Sequence, residues 1–206
     1  MEYIKKYFPE LSAHQLSQYE RMLKAYGEWN EKINVISRKD IENLEIHHIL
    51  HSLSLAKFLK FAPSSYIIDL GTGGGLPALP LAVYFPDSHF HLVDRVGKKI
   101  KVAEEIAKEC DIKNVSFQHG DFSECKDKAD FIISRAVMPQ EDLIKLARKN
   151  ISPVQKNAIP NGLISLKGGD LNAELKKTPK STEIVDIKDY FQEPFFETKK
   201  IIYTPL

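Results

Sequence analysis

The sequence predicts an α/β protein built on a doubly wound, mostly parallel β-sheet. Short apolar segments alternate with amphipathic ones from Tyr66 onward, which is typical of repeated strand–helix–strand units. A glycine-rich segment follows the first apolar run directly, as it does in parallel sheets that bind a ligand at their strand ends. Before this region only helical patterns occur. We therefore expect a helical extension over residues 1–62 and one compact domain over residues 63–206.

Two main helices are predicted in the extension. Ser12 and Gln15 form the signature of a capping box, which starts the first helix. The apolar residues that follow recur at steps of three and four and form one stripe: Leu16, Tyr19, Met22, Leu23, Tyr26, Trp29 and Ile33. The second helix is predicted to begin near Asp40 and to end before Pro63, because proline cannot continue a helix.

Strands and helices then alternate along the chain. Apolar runs predict parallel strands at residues 66–70, 90–94, 115–118, 131–134 and 163–166. The amphipathic segments between them predict helices at residues 77–85, 97–110 and 140–150. Residues 183–190 and 199–203 are β-rich and are separated by a short loop around Pro194. A hairpin there would place an antiparallel strand at the sheet edge, which parallel sheets often carry.

The composition is that of a folded globular protein, with 43% hydrophobic and 28% charged residues. The 29 basic and 28 acidic residues are evenly spread, so a nucleic acid could be bound only by a local basic patch. The even charge and the short chain predict a monomer. We expect a cytoplasmic protein without membrane contact, because no apolar run reaches the roughly 18 residues of a membrane helix and the N-terminus lacks a signal-peptide core. Cys110 and Cys125 lack metal-ligand spacing and are expected to be reduced thiols.

The strongest functional signal is the glycine-rich segment DLGTGGGLP at residues 69–77. It follows the first strand and opens a helix, and its glycines let the backbone approach a ligand closely. Asp94 ends the second strand, where a carboxylate can accept hydrogen bonds from both hydroxyls of a ribose. The alternative is a glycine-rich turn without a ligand.

Two cofactors compete for this loop. A dinucleotide fold uses a third glycine where this chain has Leu76, and it holds a pyrophosphate at a free helix N-terminus. Here Pro77 and Pro80 occupy the first helical turn, and Asp69 places a negative charge beside the loop. A carboxylate repels a pyrophosphate but suits a ligand with ammonium and sulfonium charges, which favours S-adenosyl-L-methionine.

Five segments between residues 29 and 169 carry a family resemblance. They are Trp29, Asn30 and Asn34 with His48, Ile49, Leu50 and Ser52; the loop at residues 69–81; Asp94 with Gly97, Lys98 and Lys99; Ser134, Arg135 and Ala136; and Leu166, Lys167 and Gly168. In this order they resemble the motifs of the 16S ribosomal RNA guanine-N7 methyltransferase family RsmG, also called GidB. The resemblance implies a Rossmann-like class I methyltransferase that uses S-adenosyl-L-methionine and acts on 16S ribosomal RNA, free or within the small ribosomal subunit.

The resemblance also implies roles for single residues. It places Gly71, Leu76, Phe122, Ser123 and Arg135 at the cofactor, and the arguments from the glycine loop and the strand end add Asp69, Gly73, Gly75 and Asp94. Phe122 and Ser123 match positions that flank the adenine. Arg135 matches a residue at the cofactor and substrate end, where we assign the catalytic role. The alternatives are a core aromatic residue for Phe122 and a surface salt bridge for Arg135.

Two positions depart from the family's pattern. This chain has His51 where the family often has Asp, and Asp121 where it often has Arg. The second departure removes a cation near the substrate, so the RNA contacts are expected from Lys98, Lys99 and Lys167 beside Arg135. His47 and His51 share a helix face, but no third ligand is apparent, so no metal site is expected.

The residues after the fourth strand bear on the acceptor atom. Methylation of an exocyclic amine usually involves an Asn-Pro-Pro-Tyr-type motif, and methylation of a pyrimidine carbon needs a nucleophilic cysteine. This chain has Ser134, Arg135 and Ala136 there, and neither cysteine follows a strand end with proline. Guanine N7 carries a free lone pair and needs neither device, so we name no general base. A methyltransferase for a small molecule or protein, and a non-catalytic adenosyl-ligand binding module, remain alternatives.

Overall fold

A seven-stranded sheet forms the centre of the computed structural model, which describes residues 1–135 and 137–206. The strands are β1 (Tyr66–Leu70), β2 (His89–Asp94), β3 (Val115–His119), β4 (Phe131–Arg135), β5 (Gly162–Gly168), β6 (Glu183–Asp186) and β7 (Lys199–Pro205), and their order is β3-β2-β1-β4-β5-β7-β6. Strands β1 to β5 are parallel, whereas β7 is antiparallel to both of its neighbours. The prediction of a doubly wound parallel sheet with an antiparallel edge hairpin is confirmed.

Helices cover both faces of the sheet. They are α1 (Tyr3–Tyr7), α2 (Ala13–Lys32), α3 (His51–Phe58), α4 (Ala78–Tyr84), α5 (Gly97–Glu109), α6 (Gln140–Ala147) and α7 (Asn172–Leu175). The larger core holds α1 to α5 against one face, and the smaller core packs α6 against the other. Each predicted helix of the sheet domain is confirmed to within about three residues at its ends.

The N-terminal helices are tied to the sheet domain by buried hydroxyl groups as well as by apolar contacts. The predicted capping box is present, because Ser12 Oγ accepts from the Gln15 N–H at 3.2 Å and Gln15 Oε1 accepts from the Ser12 N–H at 3.1 Å. On the buried stripe of α2, Tyr19 donates to the Pro80 carbonyl and Tyr26 donates to the Gly74 carbonyl, each at 2.9 Å. The glycine-rich loop therefore rests on α2.

The second predicted helix has three parts. A 3-10 turn (Ile41–Asn43) leads into a π-helical segment (Leu44–Leu50), and α3 follows. A helix starting near Asp40 is thus confirmed, although its first half does not have α-helical spacing. The wider π turns carry His47 and His48.

The connection between β6 and β7 is longer than predicted. Strand β6 ends at Asp186, and the chain then forms the 3-10 turns Ile187–Asp189 and Pro194–Thr198. Ile187, Phe191 and Phe196 are fully buried in this stretch, and Phe191 packs on the rings of Tyr7 and Phe8 of the N-terminal region. Burying these side chains takes the backbone away from the strand direction. The expected strand at residues 183–190 is therefore wrong beyond residue 186.

Among the described residues, no helix combines the length and the apolar character needed to cross a membrane.

Candidate functional site

A cavity of about 390 Å³ opens at the carboxyl ends of β1, β2 and β4. Strands β1 and β4 are neighbours at the point where the strand order reverses, which is where sheets of this kind bind ligands. The volume lies in the range of small-molecule sites. The wall is formed by Val35, Leu70, Gly71, Thr72, Gly73, Gly74, Leu76, Val93, Asp94, Arg95, Val96, Lys99, Gly120, Asp121, Phe122, Arg135, Val137, Met138 and Leu146.

Two positions of the loop that line the cavity require glycine because of their backbone conformation. Gly71 and Gly73 have φ values of +71° and +58°, in the left-handed region that side chains disfavour. A Cβ at Gly71 would also lie 2.7 Å from Cγ2 of Val137. The N–H groups of Gly71 and Thr72 donate to the Val93 carbonyl at 2.9 and 3.1 Å. These bonds fix the loop to the end of β2.

The next two glycines allow close packing behind the loop. A Cβ at Gly74 would lie 2.9 Å from two carbons of Val35, a residue of the N-terminal region that also lines the cavity. A Cβ at Gly75 would lie 2.4 Å from Cδ1 of Leu79 in α4. Gly75 does not line the cavity, so the structure gives it a packing position and not the cofactor contact expected from the sequence.

The Asp94 carboxylate holds two backbone segments together at the cavity wall. One oxygen accepts from the Gly73 N–H and the other from the Val96 N–H, each at 2.8 Å. A carboxylate has about four lone-pair sites, so it can still accept hydrogen bonds from a ribose diol. Asp94 thus orders the glycine loop and the start of α5 while facing the space that a ligand would occupy.

Asp69 lies beneath the glycine loop and not on the cavity wall. Its Oδ2 accepts from Thr72 Oγ1 at 2.6 Å and from the Ala78 N–H at 3.1 Å, which joins the two ends of the loop. Its Oδ1 is buried without a hydrogen-bond partner among the described residues. Burial raises the pKa of the Asp69 carboxyl to about 7. The sequence predicts Asp69 beside a positively charged ligand, whereas in the structure its carboxylate lies under the loop.

Arg135 ends β4 and lines the cavity. No carboxylate of the described residues lies within 4.0 Å of its side-chain nitrogens, so the salt-bridge alternative finds no support there. Its charge acts on neighbouring groups of the π-helical segment and α3. Burial, followed by the charge of Arg135, lowers the pKa of His48 to about 4 and lowers that of His51 well below its usual value. Ala136, the third residue of the predicted motif, lies outside the described residues.

The N-terminal histidines form a hydrogen-bonded cluster with Asp40. The ring Nδ1 of His47 lies 2.5 Å from Asp40 Oδ1, and Nε2 of His48 lies 2.7 Å from Asp40 Oδ2. His51, a departure from the family's pattern, is buried beside the rings of Phe195 and Phe196. The shared helix face of His47 and His51 is thus used for packing and for bonding to Asp40.

The segment after β3 brings one of its two predicted residues to the cavity. Phe122 is buried and lines the wall. Ser123 is exposed and lies outside the wall, and its N–H donates to Asp121 Oδ1 at 2.8 Å. Asp121 lies on the wall, and its other oxygen is 3.4 Å from Nε of Arg95. Arg95, which follows Asp94, therefore supplies a basic side chain beside Asp121, the position where the family often has arginine.

The three predicted RNA-binding lysines have different surroundings. Lys99 is half-buried and lines the cavity, whereas Lys98 is exposed just outside it. The Lys167 side chain is buried, with Nζ 2.5 Å from Glu174 Oε1 and donating to the Met138 carbonyl at 2.7 Å. Both bonds take Lys167 away from solvent, so this structure does not support its predicted contact with an RNA phosphate.

Sequence reasoning missed several wall residues. Arg95 directly follows Asp94, so its position beside a predicted ligand residue was a usable signal. Val35, Val137, Met138 and Leu146 carried none, because each is an isolated apolar side chain that the fold brings in from a separate segment.

The sequence was also compared with known families and proteins. The model of the GidB family, described as rRNA small subunit methyltransferase G, matches residues 12–202. The ribosomal RNA small subunit methyltransferase G of Bacteroides thetaiotaomicron is 53% identical over 206 residues, which is 100% of both chains. The protein of the same name from Phocaeicola vulgatus is 55% identical over 206 residues, 100% of this chain and 99% of that one.

Solved structures share the fold at much lower identity. A SAM-dependent methyltransferase from Aquifex aeolicus matches with a TM-score of 0.59 and 13% identity, over 82% of this chain and 97% of that one. A mutant of MtNAS, solved in complex with S-adenosylmethionine, also has a TM-score of 0.59, with 11% identity over 98% of this chain and 76% of that one.

Proposed function

Because the chain belongs to the rRNA small subunit methyltransferase G family, we propose that it transfers the methyl group of S-adenosyl-L-methionine to N7 of a guanine in 16S ribosomal RNA. The observation that carries this proposal is the cavity at the strand switch point. There the Gly73 N–H and the Asp94 carboxylate meet beside an apolar wall, next to the half-buried Arg135. The switch point is the general binding position for nucleoside-containing ligands in such sheets.

The residues present suit this cofactor. The side chain of Asp94 would accept hydrogen bonds from the ribose hydroxyls. The positive φ values of Gly71 and Gly73 leave the loop without side chains at its closest approach, and no heavy atom lies within 4 Å of a Cβ at Gly73. Leu76 and Phe122 are buried apolar side chains of the wall and would contact the adenine.

The reaction requires the protein mainly to align the methyl donor with the acceptor atom. When bound, S-adenosyl-L-methionine supplies a methyl group that is already activated by the positive sulfur atom. Holding an acceptor lone pair in line with that methyl group can lower the activation barrier by several kcal/mol, through the general effect of proximity and orientation. Both oxygens of Asp94 already accept backbone N–H groups, which suits an orienting role. Arg135, at the strand end, would hold an anionic or hydrogen-bond accepting group of the target nucleotide.

A basic rim consisting of Arg95, Lys98 and Lys99 would receive the RNA. Arg95 lies two residues before α5 and the two lysines lie in its first turn, and Arg95 and Lys99 line the cavity. A guanine must be turned out of its stack to enter such a cavity, and cationic side chains around the mouth hold the flanking phosphates. Since Arg95 is paired with Asp121, the lysines are the better phosphate ligands of the rim.

The direct test is methyl transfer by the purified chain to small ribosomal subunits and to protein-free 16S RNA from a strain that lacks the modification. With S-adenosyl-L-methionine labelled in its methyl group, we expect the wild-type protein to label 16S RNA. Gly73→Val should not label it, because the valine side chain would occupy the space where the loop approaches the cofactor. A folded Gly73→Val variant with normal transfer, or a wild-type chain that binds the cofactor but labels only a small molecule or protein, would contradict the proposal.

The basic rim has its own test. Replacing Lys98 and Lys99 by alanine should leave cofactor affinity nearly unchanged, weaken RNA binding and lower its salt dependence by up to about two units of slope. The double variant Lys108→Ala/Lys113→Ala removes the same two charges from exposed positions at and just after the far end of α5 and is the matched control. Equal effects of the two double variants would remove the rim from the proposal.

We also propose that the chain acts as a monomer in the cytoplasm, since one chain contains the whole cavity wall described above. Sedimentation analysis at working concentration tests this state. A stable dimer would contradict it.

A further inference from the structure

A second group of reactive side chains lies away from the cavity, on the face of the sheet that packs against α6. One ring nitrogen of His91, Sγ of Cys125 and a carboxylate oxygen of Asp127 all lie within 4.8 Å of one another. His91 and Cys125 are buried, whereas Asp127 is exposed. None of the three lines the cavity.

We propose that His91, Cys125 and Asp127 bind a zinc ion. Imidazole nitrogen, thiolate sulfur and carboxylate oxygen are the three donor types that Zn²⁺ takes in proteins. The thiolate and the carboxylate would together balance the charge of the ion. Because Asp127 is open to solvent, a water molecule would complete a tetrahedral set from that side.

Neighbouring groups orient two of the three ligands, the exposed Asp127 and the buried His91. The Tyr66 hydroxyl donates to Asp127 Oδ2 at 2.8 Å. Nδ1 of His91 lies 2.8 Å from Ser116 Oγ, and its Nε2 lies 3.2 Å from Gln118 Oε1. Metal-bound histidines and carboxylates usually have such hydrogen-bond partners on their far side, which fix the ring tautomer and the ligand direction.

The backbone between the other two ligands is also fixed. Nδ2 of the buried Asn150 donates to the carbonyls of Cys125 and Asp127, at 2.9 and 2.8 Å. These bonds fix the backbone at Cys125 and Asp127, whose side chains lie on the same side of the sheet as His91. A bound ion would therefore tie the segment between β3 and β4 to β2.

Only a small movement is needed to close the site. Ligand atoms around a tetrahedral zinc ion lie roughly 3.6 Å apart, given metal–ligand bonds of about 2.0 to 2.3 Å. The present separations of at most 4.8 Å therefore need to shorten by no more than about 1.2 Å. His91 must exchange one hydrogen bond for the metal, and the bond of 3.2 Å to Gln118 is the weaker of its two.

The test uses the full chain, freed of metal by a chelator and kept reduced with a phosphine. Calorimetry with Zn²⁺ should show one ion per chain with a dissociation constant of about 1 μM or below. Co²⁺ should give a near-ultraviolet thiolate-to-metal charge-transfer band. Cys125→Ser should abolish that band, and His91→Gln and Asp127→Asn should each weaken Zn²⁺ binding by at least about tenfold.

Two controls separate this site from other ligands. Cys110→Ser removes the other cysteine, which is buried in the larger core, and should leave binding unchanged. His48→Gln tests the histidines beside Asp40 and should also leave it unchanged. Asp127 is exposed, so Asp127→Asn keeps the fold and gives a clear answer even if Cys125→Ser is unstable. No binding to the wild-type chain, or undiminished binding to Asp127→Asn and Cys125→Ser, would overturn the proposal.

Discussion

Replacing Asp94 by alanine separates a ribose contact from loop ordering. The side chain accepts the N–H groups of Gly73 and Val96, each at 2.8 Å, and we propose that it also accepts the ribose hydroxyls of the cofactor. A hydrogen bond to a charged group contributes about 1.5–3 kcal/mol, and less where the group is partly exposed, as Asp94 is. We expect a loss of roughly 1–3 kcal/mol in cofactor binding, which is about a 5- to 150-fold higher dissociation constant.

The assay is calorimetric titration with S-adenosylhomocysteine and with its 2′,3′-dideoxy analogue. If Asp94 contacts the ribose, the wild type should prefer the natural ligand, and Asp94→Ala should bind the two ligands with nearly equal affinity. Asp121→Ala, which removes the other carboxylate of the cavity wall, should retain the preference. An unchanged preference in Asp94→Ala would refute the ribose contact, and an unchanged affinity for the natural ligand would refute the assignment of Asp94 altogether.

Three further predictions concern the surroundings of the glycine loop. Gly74→Ala places a Cβ 2.9 Å from Val35, so it should lower the free energy of unfolding by about 1–3 kcal/mol, and Val35→Ala in the same chain should restore most of it in a urea double-mutant cycle. Burial raises the pKa of Asp69 to about 7, so the native state keeps its proton longer than the unfolded chain does, and this group's contribution to stability falls as pH rises from about 4 to about 7. The free energy of unfolding of the wild type minus that of Asp69→Asn should thus be larger at pH 5 than at pH 8, and an equal difference would contradict the raised pKa. Arg135→Ala should lower the rate of methyl transfer more than RNA affinity, and it should raise the pKa of His48 from about 4 in an NMR titration, whereas a wild-type rate would return Arg135 to a structural role.

The regular elements could be predicted because each follows from a local pattern. Four of the five parallel strands are largely buried and appear in the sequence as mostly apolar runs, whereas the edge strand β3 is half-buried. The ends of all five were placed to within about two residues. The hairpin failed after residue 186 because Phe191 and Phe196 pack against the N-terminal region, nearly the whole chain away. No local pattern reports such a distant partner.

The candidate site likewise contains residues that a local sequence pattern identifies and residues that it does not. Gly71, Gly73 and Asp94, which are predicted to contact the cofactor, all line the cavity, and a loop and a strand end mark them in the sequence. Asp69 was misplaced because adjacency to the loop does not reveal that its carboxylate turns beneath it, toward Thr72 and Ala78. The partner of Lys167 is likewise set by the fold, which brings in Glu174 from α7.

The grouping of His91 with Cys125 and Asp127 was invisible for a related reason. Two of these residues lie in a loop and the third lies on a neighbouring strand, so their spacing in the sequence matches no metal-binding pattern. Only the register of β2 and the return of the chain toward β4 bring them together.

The chemical identity of the methylated base tests the central claim most directly. After reaction with the purified chain, 16S RNA should be digested to nucleosides for mass spectrometry, and a second portion should be treated with borohydride and aniline, which cleave RNA at N7-methylguanosine. We predict one new N7-methylguanosine per RNA and cleavage at a single position, both absent with Gly73→Val. Methylation at another atom of guanine, on another base or on no RNA at all, by a chain that binds the cofactor, would contradict the claim.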